Sequence, residues 1–303
     1  MESLKVASLY CFTKLDLVSE KRDNIFRICK NLDVKGLIIM ASEGINGTIA
    51  GEMKKVDIVI RNIKEIMNCD QINLKQSLIK EIPFGRIKVK IKKEIVTFGV
   101  DEMSMAEQPG IYVEPKDWNT LIRDENVVTI DTRNDYEVAI GSFIGAINPN
   151  TENFSDFPKW WRKNGKQYKG KSVAMFCTGG VRCEKSTKYL LKHGVRKVYH
   201  LKGGILNYLE NYEGNESQWE GECFVFDQRV SVGSNIENGS CSLCFACRHP
   251  LRSYELNHPY YEEGVSCQHC YEKTGFERKR NFRERQKQIK LSALKGMKHL
   301  KYF

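Results

Sequence analysis

Apolar and polar positions change period along the chain, and the changes mark out the elements. VASLYCF, residues 6–12, has the apolar density of a strand. SEKRDNIFRICKNL, residues 19–32, has helical spacing, with Ile25, Cys29 and Leu32 on one side. GLIIMAS, residues 36–42, predicts a buried strand, and EGINGTIAG, residues 43–51, a tight turn into another, with Asn46-Gly47 as the turn signal. MKKVDIVIRNIKEIM, residues 53–67, is a second amphipathic helix. GRIKVKIKKEIV, residues 85–96, alternates strictly: Arg86, Lys88, Lys90 and Lys92 face one way, Ile87, Val89 and Ile91 the other. The order βαββαβ predicts a ferredoxin-like α+β domain over residues 1–97.

Residues 98–122 predict a linker with turns. From 123 to 217 strands alternate with helices. The strands are NVVTIDTR (126–133), KSVAMF (171–176) and VRKVYHL (195–201). A short helix leads from Asp135 into a glycine-rich turn and strand. EKSTKYLLKHG forms a helix closed by Gly194, and KGGILNYLEN a turn and helix. This alternation predicts a parallel α/β sheet covered on both faces. Residues 218–275 hold the strand-like GECFVFDQRV and a cysteine cluster, and residues 276–303 form a basic tail.

Composition sharpens this picture at three points. No run of about 18 apolar residues is present, so no membrane span is expected. The first 12 residues lack a basic segment followed by a long apolar one, so the expected location is the reducing cytoplasm. There the 11 cysteines point to metal ligation or catalysis more than to disulfides. The net charge of +10 is uneven, because ten Lys and Arg against two Glu follow Phe276. Such a tail suggests an acidic partner, nucleic acid above all; a solvated solubility tail is the plainer reading. Arg278, Lys279, Arg280, Arg283 and Arg285 are its candidate RNA contacts. The Arg86, Lys88, Lys90 and Lys92 face has two readings as well, a phosphate-binding surface or a wet, guarded sheet edge.

The densest chemistry lies in MFCTGGVRCEK, residues 175–185. Cys177 ends an apolar strand, and ligands collect beyond the carboxyl ends of strands in open α/β sheets. Thr178, Gly179, Gly180 and Val181 then lead into a helix. Their N–H groups, the helix N-terminus and Arg182 would cradle an anion around the sulfur and favour a thiolate or persulfide. The alternative is a buried structural cysteine before an ordinary turn. A phosphatase loop of Cys-x5-Arg type needs its arginine at 183, and Arg182 comes one position early. Cys183 is either a first-turn helix residue or a second active-site thiol.

IDTRNDYEVAIGSFIGAINP, CTGGVRCEKS and VYHLKGGILNYLE, in that order, resemble a rhodanese domain. The resemblance implies that Cys177 carries the chemistry and that Arg182 closes the loop; Asp131, Arg133 and Glu137 read as structural pairing. With SEGINGTIAG before them and GECFVFDQRV, CRHP and SCQHC after, nearly the whole chain is similar to the bacterial tRNA uridine hydroxylases. That family implies an acylphosphatase-like first domain, tRNA as partner, and oxygen-dependent formation of 5-hydroxyuridine at the wobble position. A sulfurtransferase carrying a cysteine persulfide is the alternative. No dinucleotide-binding G-x-G-x-x-G and no histidine pair for a non-haem iron site appear, so no organic cofactor is expected.

Cys244-x2-Cys247 precedes Cys267-x2-Cys270 by 19 residues, the spacing of two knuckles closing one structural zinc site. Cys241 and His249 are possible substitute ligands. The fold class expected is thus α/β: a rhodanese parallel-sheet domain after a ferredoxin-like α+β domain, then a small Cys-rich zinc region and the basic tail.

Overall fold

The computed structural model describes residues 3–69, 71–100, 108–212 and 216–295. Linker positions 101–107 and the tail cations Lys298 and Lys301 lie outside the described residues.

The first unit runs β1 (Leu4–Phe12), α1 (Val18–Asn31), β2 (Lys35–Ala41), β3 (Gly44–Glu52), α2 (Met53–Met67), β4 (Asn73–Ile79) and β5 (Ile87–Ile91). The strand order β4-β1-β3-β2-β5 is the expected ferredoxin-like sheet with one strand added beside β2. α2 buries Val56, Val59, Ile60, Ile63 and Met67, a helical stripe that packs on the sheet with Ile25 and Cys29 of α1. Both helices cover one face, where Ala7, Leu9, Ile38, Met40, Ile45 and Ile49 form the core. The opposite face carries no helix of this unit. It turns toward the second unit.

Two details differ from the sequence expectation. The fourth strand of the βαββαβ unit is the polar segment Asn73–Ile79, and the lysine-alternating strand is the extra edge, β5, parallel to β2. Asn46 and Gly47 are also not a turn; they sit inside β3, and the chain reverses at residues 42–43. Gly47 is needed for close strand contact, since a Cβ there would lie 2.6 Å from the Leu37 carbonyl oxygen.

The second unit begins within the expected linker. β6 (Ile111–Val113) and α3 (Pro115–Ile122) precede β7 (Val127–Asp131), α4 (Asp135–Val138), β8 (Gly141–Phe143), α5 (Phe157–Asn164), β9 (Ser172–Phe176), α6 (Val181–Lys192), β10 (Val198–Leu201) and α7 (Gly204–Asn211). The sheet order is β6-β10-β9-β7, all parallel. Proline at the first position of α3 has no N–H to leave unsatisfied. Val173 and Met175 of β9 point into one core with Trp161 and Tyr189, while Ala174 and Phe176 point into the other with Trp118 and Tyr208. Burial on both faces explains why β9 reads as a continuous apolar run.

β11 (Trp219–Gly221) pairs with β8, and β12 (Cys223–Phe224) with β13 (Ser231–Val232). β14 (Ser242–Leu243) and β15 (Pro250–Leu251) begin the Cys-rich region, and α8 (Phe276–Leu294) makes most of the tail a helix. No helix among the described residues is long and apolar enough to cross a membrane.

Candidate active site

Cys177 follows β9 directly, and the loop after it turns into α6. The Gly180 N–H donates to Cys177 Sγ at 3.1 Å. The first amides of α7 brace the loop from behind: Ile205 N–H donates to the Cys177 carbonyl at 3.0 Å and Leu206 N–H to that of Thr178 at 3.1 Å. Gly204 has a φ of 66°, and a Cβ there would lie 2.5 Å from the Cys177 carbonyl oxygen. The second glycine of KGGIL is therefore required by the close approach of α7 to the loop.

Arg182 does not extend its guanidinium toward an anion above the sulfur. Both terminal nitrogens donate to Glu137, at 2.6 and 2.8 Å, and one also to Thr178 Oγ1 at 3.1 Å. Glu137 is fully buried and stays ionised against its burial because Arg182 faces it. Arg182 is thus a fixed cation beside the loop, held by α4. Asp131 and Arg133 form a second buried pair, with Arg133 also donating to the carbonyls of Glu137 and Gly141.

The electrostatics of the thiol follow. Burial opposes ionisation of Cys177. The neighbouring Cys183 thiol, the charge of Arg182 and the amides of Cys183 and Arg182 at the start of α6 outweigh it and hold Cys177 down to about 6. Cys183 moves the other way, well above the ordinary thiol value, through its burial and through its neighbour's charge. The loop thus favours the ionised form at Cys177 and the protonated form at Cys183. Thr132 Oγ1 lies 3.7 Å from Cys183 Sγ, on the sheet side of the loop.

Cys177 lies at the edge of a cavity of about 750 Å³ between the two units. Thr178, Gly179, Val181 and Arg182 line it from the loop; Cys183 does not. The bare face of the first sheet forms the opposite wall. Strand register sets two rows across that face. One is Lys75, Ser8, Thr48, Leu37 and Lys88; the other is Asn73, Tyr10, Asn46, Ile39 and Lys90. Residues directly opposite in a sheet share a face. The first four of each row line the cavity, and Lys92 joins them. The lysines of β5 therefore stand on the same face as the cavity wall, at its edge. Lys88 sits below the usual lysine value, chiefly through partial burial and then through Arg86, Lys90 and Arg248. Arg86 lies exposed just before β5.

The cavity exists because the units are latched. Tyr10 and Tyr112 both donate to the Glu184 carboxylate at 2.9 Å. Lys185 Nζ reaches Glu43 at 2.7 Å, Glu94 at 2.5 Å and the Val96 carbonyl at 3.1 Å. Lys75 pairs with Glu210 of α7. Sequence reasoning missed these residues, because each partner lies far away along the chain. Glu43, Glu184, Lys185 and Glu210 left one trace: SEGINGTIAG, CTGGVRCEKS and VYHLKGGILNYLE were among the segments carrying the family resemblance.

The sulfurs of Cys244, Cys247, Cys267 and Cys270 all lie within 4.8 Å of one another. Cys244–Cys270, Cys247–Cys267 and Cys267–Cys270 are 3.9, 3.7 and 3.9 Å apart. A tetrahedral ion with metal–sulfur bonds of about 2.3 Å needs edges of about 3.8 Å. This donor set fits a metal ion. Cys241 and His249 stand outside the group: the Cys241 N–H donates to Glu222, and His249 stacks on His269. α8 lies against this region through its cations. Arg283 makes a two-pronged pair with Glu262, Arg285 donates to the Gly264 carbonyl, and Lys279 caps the Tyr271 ring at 3.4 Å. Arg280 pairs with Glu277 within the helix, and Arg278 lies over Phe282.

Residues 4–95 match the family model of the UPF0176 acylphosphatase-like domain, and residues 114–211 that of the rhodanese-like domain. The chain is 47% identical over 296 residues to a tRNA uridine(34) hydroxylase of Brucella ovis, covering 97% of each chain. It is also 47% identical to one of Roseobacter denitrificans, over 95% of this chain and 97% of that one.

Proposed function

This chain belongs to the tRNA uridine(34) hydroxylase family, and on that premise we propose that it hydroxylates C5 of uridine 34 in tRNA anticodons. The observation that carries the reading is the cavity, which sets a thiolate-prone Cys177 against a wall from another domain. A site for a small sulfur anion needs no such wall. About 750 Å³ is room for one nucleotide splayed out of a single-stranded loop.

In this reading Cys177 is the catalytic thiolate. Attack of its sulfur on C6 of uracil would make C5 electron-rich, and loss of H5 with departure of the sulfur would restore the ring after oxygenation. Molecular oxygen is the co-substrate: one atom becomes the C5 hydroxyl of 5-hydroxyuridine, and the other leaves as water, taking two protons and two electrons from an external two-electron reductant such as a dithiol. Arg182 keeps Cys177 ionised, Cys183 donates to it, and Thr178, Gly179, Gly180 and Val181 shape the loop. Lys88, Lys90 and Lys92, with Arg86 before them, take the RNA backbone at the cavity rim. Arg278 and Arg280 add exposed charge on α8, whereas Lys279, Arg283 and Arg285 are largely spent on the Cys-rich region. The four-cysteine site holds structural zinc, since four protein ligands leave no position for substrate. The protein works in the cytoplasm, where its tRNA is.

Nucleoside mass spectrometry of bulk tRNA tests this. A strain without its own enzyme should regain 5-hydroxyuridine and its derivatives with the wild-type chain and not with Cys177→Ala. Unchanged levels with Cys177→Ala would reject the role of the thiol. Vigorous thiosulfate–cyanide turnover without RNA would favour a sulfurtransferase instead.

A further inference from the structure

Asn46 was expected in a turn and stands instead in the middle of β3, on the face that walls the cavity. Its Nδ2 donates to the Ile95 carbonyl at 3.1 Å. That carbonyl is not free to move. The Ile95 N–H is held by Glu43 at 2.7 Å, and Lys185 grips Glu43, Glu94 and the Val96 carbonyl around it. The amide of Asn46 therefore has one orientation. Turning it over would place Oδ1 against the Ile95 oxygen and lose the hydrogen bond. In this orientation Oδ1 has no protein donor among the described residues, and one Nδ2 hydrogen also remains.

An acceptor beside a donor, fixed in a cavity wall, matches one pyrimidine edge. Uracil presents an N3–H donor flanked by carbonyl acceptors. Cytosine presents an N3 acceptor beside an amino donor, and would need the amide reversed. We propose that Asn46 is the specificity-determining residue that admits uracil and rejects cytosine at this site, with Oδ1 accepting from N3–H and Nδ2 donating to the neighbouring carbonyl. This rests on the cavity being the site of uridine modification. Paired hydrogen bonds of this kind discriminate between bases by about tenfold to a hundredfold.

The test uses the full chain in a strain lacking its own enzyme, with a reporter tRNA carrying either U34 or C34. The hydroxylated fraction at position 34 is read by mass spectrometry. The wild type should modify U34 at least about tenfold more than C34. Asn46→Ala should cut U34 modification and bring the U-to-C ratio at least fivefold closer to one. Asn46→Ser serves if the alanine variant does not accumulate. A ratio unchanged in a folded variant, or a wild-type ratio near one, overturns the role of Asn46 while leaving uridine modification intact. Absence of modified U34 with the wild type overturns both readings.

Discussion

Tyr10 of β1 donates its phenolic hydrogen to Glu184 of α6 at 2.9 Å, across 174 residues of sequence. The bond ties the first strand of one unit to the helix that starts at the end of the Cys177 loop. Tyr112 donates to the same carboxylate, and Lys185, the next residue, clamps Glu43 and Glu94. Consecutive side chains of α6 thus hold the cavity wall over the thiol.

The two latches should differ in strength. Tyr10→Phe removes one hydrogen bond to a carboxylate that keeps Tyr112, a loss of about 1–2 kcal/mol. Lys185→Met leaves Glu43 and Glu94 facing each other with no cation between, for about 2–4 kcal/mol after allowing for their partial exposure. Urea unfolding should place the midpoints in the order wild type, Tyr10→Phe, Lys185→Met. Equal midpoints would mean that the units do not dock through α6.

Cys177 should react as a thiolate at a pH where an ordinary thiol does not. Its thiol is held down to about 6, against about 8.5 for a free cysteine. The thiolate is the reactive form, so alkylation by iodoacetamide should rise as pH climbs through about 6 and level off near neutrality. Cys183→Ala removes a donor to the sulfur and should move the midpoint up. Peptide mapping assigns the rate to residue 177. A wild-type midpoint above 8 would remove the argument for a thiolate-stabilising loop.

The reach of the sequence stops where contacts between units begin. β9, α6 and α7 were legible because both their ends and their burial are written in local pattern, as was Cys177 at a strand end before two glycines. The four-cysteine group was legible because knuckle spacing is local too. β4 was not, because an edge strand with neither face fully buried, NLKQSLI, carries no apolar alternation. Asn46-Gly47 misled, since its turn propensity is local and the close approach of Leu37 to Gly47 is not. α8 has no buried residue, hence no stripe to read. Tyr10 and Asn46 came to line the cavity only once β1 and β3 faced the loop.

If the lysines of β5 and Lys92 just after it hold an RNA backbone, their removal should weaken binding mainly at low salt. Lys88, Lys90 and Lys92 stand at one edge of the cavity face, where a strand threading a base inward would pass. Each phosphate contact to single-stranded RNA contributes about 0.7 to the slope of log affinity against log salt. The triple Lys→Ala variant should lower the slope for an anticodon stem-loop by about 2, with Cys177 reactivity unchanged. An unchanged slope would make β5 a solvated, guarded edge.

Metal removal should act first on the Cys-rich region and α8, residues 241–294. The Cys244, Cys247, Cys267 and Cys270 sulfurs come from two short knuckles with little other core, only Leu251 joining them as a fully buried apolar side chain in their cluster. α8 depends on this region in turn, through Arg283–Glu262, Lys290–Glu263 and the Arg285 contact with the Gly264 carbonyl. Elemental analysis of untagged protein should find about one zinc per chain. A strong chelator, or Cys267→Ser, should release the metal and bring fast amide exchange to residues 241–294, while the rhodanese core, with Trp118 and Tyr189 buried at its centre, keeps its protection. A metal-free protein with α8 still protected would show that the four thiols fold the region without an ion. Loss of protection throughout the chain would instead make the metal site part of the global fold.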